Sequence, residues 1–579
     1  MVSRIHNKDN GEQRMTISPS RTPNGDEAPK QGSGSNPHSS SLIATSATGP
    51  MDISTYISVS DTEEGSDLNS LQANRLLQTS QETQLFNIPW PQADEILHVF
   101  QQKYAHHFPF VVLENGISAH QLEQRQPFTF KAIMIIATPL PWLITTAMRD
   151  SFFANLGQRL FTEKDFDLDL LQCILLCIAW ADICDLSNHQ ITNFTHIALG
   201  YAHNLAASGM TFTVSRSENN PLINIVSSER AAMLPQNGVI DARRAFLGCV
   251  GVLSADSVRF GRQNPLNGPY VDLCRSLLRQ HPECPTDFVL ERYVRLMQLS
   301  DKISEALHTN TRHDGTEAYL TLVKETAQRL RPELDNIIES LGFDQQQFRW
   351  PSIGNVGSHE KSFRLAYNYL LVRLYEPVTR FEPAATEVED APLELWHLCL
   401  TNCLSATKAY FENLLATRPD GWYPYQSTIA TKPIIFVMIL AARLHLIKVP
   451  GWNAKLAYLE FDLSSVIDHF VSHLEEAEEA LKQDVEKFAY SMKMNLKSGG
   501  MMKSKRLAEL AKKAKSVKEW YEAERSGVAT IERLDDGARG PAIITENEKS
   551  AGEFWWPRQL RWFNGLYENS AWNFDDTGS

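Results

Sequence analysis

The chain has 579 residues, too many for one small core, which predicts one large or two fused globular regions with tails. Its formal net charge of -14 excludes a general coat for nucleic acid or anionic membrane and leaves only a local basic patch for either role. All eight cysteines lie at or after Cys173, mostly inside apolar runs, which excludes a disulfide framework and points to a reducing compartment.

Residues 1–84 are rich in Ser, Asn, Gly, Pro and Thr, with GSGSNPHSSS at 32–41 and the acidic DTEEGSD at 61–67. Such a segment buries too little apolar surface to offset its ordering entropy and is predicted to be disordered. The start, MVSRIHNKDNGEQR, lacks the apolar centre of a secretory signal, so an intracellular protein is expected. The longest apolar runs are 433–442, too short to span a bilayer, and 132–148, broken by Pro139 and Pro141; no membrane partner is expected.

Organised structure is predicted from about Pro91, where Ile96, Leu97, Phe100 and Tyr104 share a helix face. The Phe108-Pro109-Phe110 triplet reads as an extended apolar plug, because proline disfavours helix in the residue before it. His106 and His107 are adjacent, would point apart on a helix, and are not expected to hold a metal. Two helices are predicted at 127–147 and 150–160, followed by a helical hairpin over 166–209 on which the rest of the chain is expected to centre. From Leu170 to Ile183 only Gln172 and Asp182 are polar, so the first arm must be enclosed on nearly all sides. The second arm carries Ile191, Phe194, Ile197, Ala198, Tyr201, Ala202 and Leu205 on one face, with Gly209 at the expected C-terminal cap.

Cys173, Cys177 and Cys184 have helical spacing suited to a metal, yet their Leu, Ile and Trp neighbours favour simple burial, and Cys399 with Cys403 reads the same way. His189, His196 and His203 recur every seven residues; two turns separate each pair by ~10 Å, too far for one ion, so a half-buried polar edge is expected. A polar loop is predicted over 210–239, then a helix over 241–262 with Asp241 as N-cap. Asp256, Arg259 and Arg262 near its end suit either a small-molecule pocket or, preferably, a salt bridge. Helical patterns continue at 288–307, 315–341, 359–376, 393–415, 433–449 and 463–488, the last with an acidic face of Glu475, Glu476, Glu478 and Glu479. With almost no strand-type alternation and no βαβ rhythm, the expected fold is all-α.

Residues 493–518 form the one strongly basic stretch, with Lys503, Lys505, Arg506, Lys512, Lys513 and Lys515 interleaved with Leu and Ala. It reads as a basic amphipathic helix, suited to nuclear import or phosphate contact, or to packing its apolar face on the body. The tail, residues 553–579, gathers Trp555, Trp556, Trp562, Phe563, Trp572 and Phe574 beside Asp575 and Asp576. Mixed aromatic and acidic residues at a chain end suit an activation segment that folds on a coactivator, or aromatics that dock back on the helices.

Six stretches taken together, KYAHHFPFVVL (103–113), DLDLLQCILLCIAW (167–180), RRAFLGCVGVLSADSVRFGRQNPL (243–266), PYVDLC (269–274), YNYLLVRLYEP (367–377) and VPGWN (449–453), resemble the regulatory middle homology region of fungal zinc-cluster transcription factors. The resemblance spans roughly residues 91–485. It implies a large helical regulatory domain over 85–490, between a disordered 1–84 and a basic helix at 491–526 followed by a mostly flexible tail at 527–579. Members of that family usually begin with six cysteines that bind two zinc ions and place a helix on DNA. No cysteine precedes Cys173, so that zinc cluster is absent from the chain as given, and no metal or other cofactor is expected. Either DNA is reached through a partner, or the true start lies upstream.

No GxSxG, HExxH, GxxxxGK or GxGxxG signature is present, and no enzyme is expected. The resemblance implies a nuclear transcriptional regulator that is pathway-specific, with control of a secondary-metabolite gene cluster as the leading case. Its expected partners are the transcription machinery or a coactivator, a second copy or a DNA-binding regulator as dimer partner, and DNA, directly or through that regulator. The alternative is an interaction module without DNA binding that modulates a zinc-cluster factor by heterodimerisation.

Overall fold

In the computed structural model the described residues are 88–139, 146–162, 167–214, 239–260, 263–284, 286–307, 316–347, 356–380, 390–416, 423–491 and 505–526. The region predicted to be disordered, 1–84, and the tail at 527–579 lie outside them. All the described residues belong to one contact unit, Ser66–Ser579. Among them are sixteen α-helices and no β-strand, so the all-α expectation holds.

The first helix, α1 (Trp90–Val99), begins with proline in its first turn, where the missing N–H is no loss, and buries Ala93, Ile96 and Leu97. It runs on through a π turn, Phe100–Tyr104, and a 3-10 turn, Ala105–His107. The His106 and His107 rings do not point apart as an α-helix would require: the 3-10 turn brings their centroids to 3.8 Å. Phe108, Pro109 and Phe110 then enter the interior. A capping box between Ser118 and Gln121 starts α2 (Ala119–Arg125). The next helix, α3 (Pro127–Ala137), is capped from a distance: Asp169 accepts the Phe128 and Thr129 amides at 2.8 and 2.7 Å.

After α4 (Thr146–Thr162) comes α5 (Leu168–Ala179), in which every residue from Asp169 to Ala179 is buried, as its all-round apolar sequence requires. The turn beyond it includes Asp185 in the left-handed region, φ 57°. The second arm, α6 (Asn188–Val214), does not stop at Gly209 but extends five residues into the predicted polar loop. A glycine inside a helix costs only about 1 kcal/mol, too little by itself to end one. Residues 215–238 of that loop lie outside the described ones. His189, His196 and His203 are exposed, not half-buried, because the helix packs through Ala198, Ala202 and Leu205.

Two glycines in α7 (Val239–Phe260) make room for neighbours. A Cβ on Gly248 would stand 2.9 Å from Phe110 Cβ, and one on Gly251 would stand 2.8 Å from Met297 Cε. Asp241 sits within the first turn of α7 rather than at its cap, since the helix already begins at Val239. The chain continues through α8 (Pro269–Gln280), α9 (Thr286–Leu307), α10 (Thr316–Gln347), α11 (Val356–Tyr375) and α12 (Asp390–Leu415). It ends with α13 (Thr428–Leu446), α14 (Ala454–Glu460), α15 (Leu463–Ser491) and α16 (Lys505–Ser526).

The apolar residues form two cores. One gathers α1 to α8 with the start of α9 and the end of α15; the other gathers the rest of α9, α10 to α14, the rest of α15 and α16. The predicted single centre on the hairpin is therefore half of the organisation. The second centre is α13, whose Ile434 to Ala442 are all buried. By length and composition α13 could cross a bilayer, but here its middle is the interior of a helix bundle. It starts at Thr428, capped by Ser427, five residues before the expected start at Pro433. That proline sits inside the helix, and the burial that follows it offsets the lost hydrogen bond.

Candidate functional site

Helix α9 belongs to both cores. Leu290 and Val294 are buried in the first, while Leu296, Leu299, Ile303 and Leu307 are buried in the second. At 3.6 residues per turn, Val294 and Leu296 point about 200° apart, so the helix is buried on two opposite sides. Between those sides Tyr293, Met297 and Ser300 share a third face, which looks into a cavity of ≈ 290 Å³ where the two cores meet. Its other walls come from the Phe108–Phe110 plug, from α7 at Gly251 and Ala255, from α11 at Ala366 and Tyr369, and from residues 426–433. None of the lining residues is exposed, and none is a carboxylate.

Most polar groups of the lining are already engaged within the chain. Ser254 Oγ donates to Asp301 Oδ1 at 2.8 Å, Thr195 Oγ1 donates to the Ile191 carbonyl at 2.8 Å, and Gln426 Nε2 meets His107 Nδ1 at 2.8 Å. Tyr293 stacks on Phe363 at 4.3 Å between centroids, and burial pushes its hydroxyl up to about 12, so it stays neutral. The effective surface is carbon, aromatic ring and the Met297 thioether.

The segment 423–430, whose residues 426–430 line the cavity, is a strap tied to both cores. Trp180 Nε1 donates to the Tyr425 carbonyl at 3.1 Å, and the Tyr425 hydroxyl donates to Asp484 Oδ2 at 2.7 Å, beside the Lys103–Asp484 ion pair. Burial works against the Asp484 charge, but the hydrogen bonds from Lys103 and Tyr425 prevail and hold its carboxyl below the usual range. Thr428 Oγ1 donates to Asp182, which is also held by Arg506 Nε at 2.8 Å. Arg506 Nη1 donates to the Pro424 carbonyl at 3.4 Å.

Arg506 thus ties α16 to the strap, and of the four predicted basic residues whose side chains are described, Arg506, Lys512, Lys513 and Lys515, it is the one turned inward. Helix α16 packs Leu507, Ala514, Val517 and Tyr521 into the second core. Lys512 and Lys515 are exposed and Lys513 half-buried, with Lys515 Nζ 3.8 Å from Glu475 on α15. Lys518, farther along, is paired with Asp468 at 2.6 Å. Lys503 and the side chain of Lys505 lie outside the described residues, as do Trp555, Trp556, Trp562, Phe563, Trp572, Phe574, Asp575 and Asp576. So do the side chains of Asp256, Arg259 and Arg262, although the cavity is lined by the same helix one turn earlier.

Cys173, Cys177 and Cys184 are buried together. Hydrogen bonding among them and burial push the Cys177 and Cys184 thiols well above their ordinary range. Among the described residues no group of three His, Cys, Asp or Glu is placed to hold a metal ion. The cavity itself was missed at the sequence level. The signal that could have found it is the pair Gly248 and Gly251, small residues three apart on an otherwise apolar helix, which mark the close approach of another element.

Over 399 residues the chain is 22% identical to Transcription factor opdL of Penicillium oxalicum (strain 114-2 / CGMCC 5302), a stretch that takes in 67% of this chain and 66% of that relative. No family model matches the chain. No solved structure gives a significant match.

Proposed function

We propose that the protein is a transcriptional regulator of the fungal type, acting in the nucleus and without catalysis of its own. The observation that carries this reading is the similarity to a fungal transcription factor along about two thirds of each chain. The all-helical body agrees with the resemblance to the middle homology region. Two lysines of α16, Lys512 and Lys515, are exposed and, with the half-buried Lys513 at the edge of its packed face, can serve nuclear import or phosphate contact together with Lys503 and Lys505. The aromatic and acidic tail at 553–579 would then recruit the transcription machinery. Control is pathway-specific, with a secondary-metabolite gene cluster as the target class.

One observation favours a second reading, an interaction module that modulates a zinc-cluster factor by heterodimerisation. The acidic flank of α15 lies against the basic helix, with Asp468 on Lys518 and Glu475 near Lys515, and it would oppose an approaching phosphate backbone. The test is chromatin immunoprecipitation and transcript profiling of a strain carrying the tagged native gene and of its deletion. Enrichment at promoters of a contiguous gene set, and loss or gain of those transcripts on deletion, is the expected result. Changed transcripts with no DNA enrichment, and a zinc-cluster factor in the immunoprecipitate, would select the second reading. Unchanged transcripts would defeat both.

A further inference from the structure

We propose that the cavity between the two cores is a binding site for a small, uncharged, aromatic molecule. This inference stands apart from the reading as a regulator, because it is tested on the purified chain and its failure would leave that reading untouched.

The size of the cavity, ≈ 290 Å³, lies just below the roughly 300–1,000 Å³ that ligand pockets occupy, which limits the guest to a small molecule. The space is a cleft partly open to solvent, so in the free chain water must lie against its largely apolar wall, and an apolar guest that displaces that water gains the burial. Small residues border the space where larger ones would narrow it: Ala255 on α7 and Ala366 across on α11, with Gly251 one turn before Ala255 admitting the Met297 side chain.

The lining also states what would bind. Phe108, Phe110, Tyr293, Tyr369 and Tyr410 present rings and Met297 a thioether, surfaces that favour an aromatic guest. Ser254, Thr195 and Gln426 are already bonded within the chain, which leaves few polar groups of the wall for a guest. Ser300 on α9 and the Tyr293 hydroxyl, which is hydrogen-bonded to Ser362, lie on the same face and can orient one polar group of the guest. A charged guest would lose its hydration without a counter-charge, since no carboxylate lines the cavity and both basic lining residues, His107 and Lys432, already have partners.

The test uses the full chain titrated with N-phenyl-1-naphthylamine, a neutral aromatic dye that brightens on leaving water. The expected result is saturable one-to-one uptake that Ala366→Leu and Ala255→Leu each weaken by about tenfold or more, since extra methyl groups overpack an occupied cavity. These variants should melt at or above the parent temperature, because they fill the same space in the free protein. Should either fail to fold, Met297→Ala decides, because it enlarges the cavity and must change the affinity, whereas a site elsewhere would leave it unmoved. The anionic analogue 8-anilino-1-naphthalenesulfonate should bind about tenfold or more weakly. No saturable uptake, uptake indifferent to these substitutions, or equal uptake of the anionic dye would overturn the proposal. So would uptake that begins only after residues 527–579 are removed, which would assign the cavity to the chain's own aromatic tail.

Discussion

Arg244 is the most committed charge in the described structure. Its Nε and Nη2 atoms each donate to an Asp287 carboxylate oxygen at 2.8 Å, and its Nη1 atom reaches Asp241 at 2.7 Å. The Asp287 side chain is fully buried and also accepts the amides of Glu283 and Cys284 at 2.9 and 3.1 Å. Removing one partner strands the other as a buried charge. Arg244→Met should therefore lower stability by roughly 3–5 kcal/mol in urea denaturation, and Arg244→Met with Asp287→Leu should recover part of that loss. Equal losses for the single and double variants would defeat this account. His445 sets a pH dependence of the opposite half. Burial pushes its imidazole down to about 4, against a lesser pull from Asp462, and its Nδ1 atom shares a 3.0 Å hydrogen bond with the Tyr521 hydroxyl. The folded value lies below the ordinary 6.5, so the unfolded chain binds the proton first and stability falls as the pH drops from about 6.5 towards 4. The loss is on the order of 3 kcal/mol across that window. His445→Phe, which keeps the ring beside Phe461, should flatten that part of the stability profile relative to the parent.

At the scale of elements, the informative helix is α16. Its basic composition reads as a surface for binding, yet its packing makes it part of the second core through Leu507, Ala514, Val517 and Tyr521. Both are true because the faces differ: lysines line one side, and small or apolar residues line the other. Val517→Asp should undock the helix and raise amide exchange over 505–526 by about 100-fold, while exchange in α1 to α6 stays unchanged. The double variant Lys512→Gln, Lys515→Gln should leave exchange as it was, because exposed pairs such as Lys515 with Glu475 contribute about 0–1 kcal/mol. If the lysine variant releases the helix and the Val517 variant does not, the helix is held by charge and not by packing.

For the whole molecule, the question is what makes two cores behave as one. Helix α9 is shared between them, and the strap at 423–430 crosses the joint. Tyr425 is the residue on which the joint converges. Its ring lies 5.1 Å from Tyr104, its carbonyl accepts from Trp180, and its hydroxyl reaches Asp484. Tyr425→Ala should lower stability by roughly 3–5 kcal/mol and turn a single denaturation transition into two, followed by tryptophan fluorescence and far-ultraviolet circular dichroism together. Tyr425→Phe, which loses only the hydroxyl bond, should keep one transition. A single coincident transition in Tyr425→Ala would mean that the shared helices α9 and α15 couple the cores without it.

Helix positions and the fold class were legible in the chain because they follow from local periodicity. The all-round apolar run from Leu170 to Ala179, and the one-sided pattern from Leu463 to Phe488, each have one way to bury their faces. Boundaries were less legible: the helices run through Gly209 and Pro433, and past Pro433 distant side chains bury what lies beyond. Helices α2, α8 and α14 were not anticipated at all; α2 and α14 are seven residues long, too short to display a period. The candidate site was legible only in fragments. The Phe108-Pro109-Phe110 plug and the importance of the helix bearing Gly251 could be read, but not that these two meet α9, α11 and the strap around one space. Length, acidity, helicity and the basic stretch are properties of neighbouring residues, and the sequence by itself determined them. Tertiary structure alone decided that there are two cores, that Arg506 turns inward, and that a cavity remains between the cores. Each depends on contacts between residues dozens to hundreds of positions apart, such as Trp180 with Tyr425 and Lys103 with Asp484, and local periodicity carries no record of such pairings.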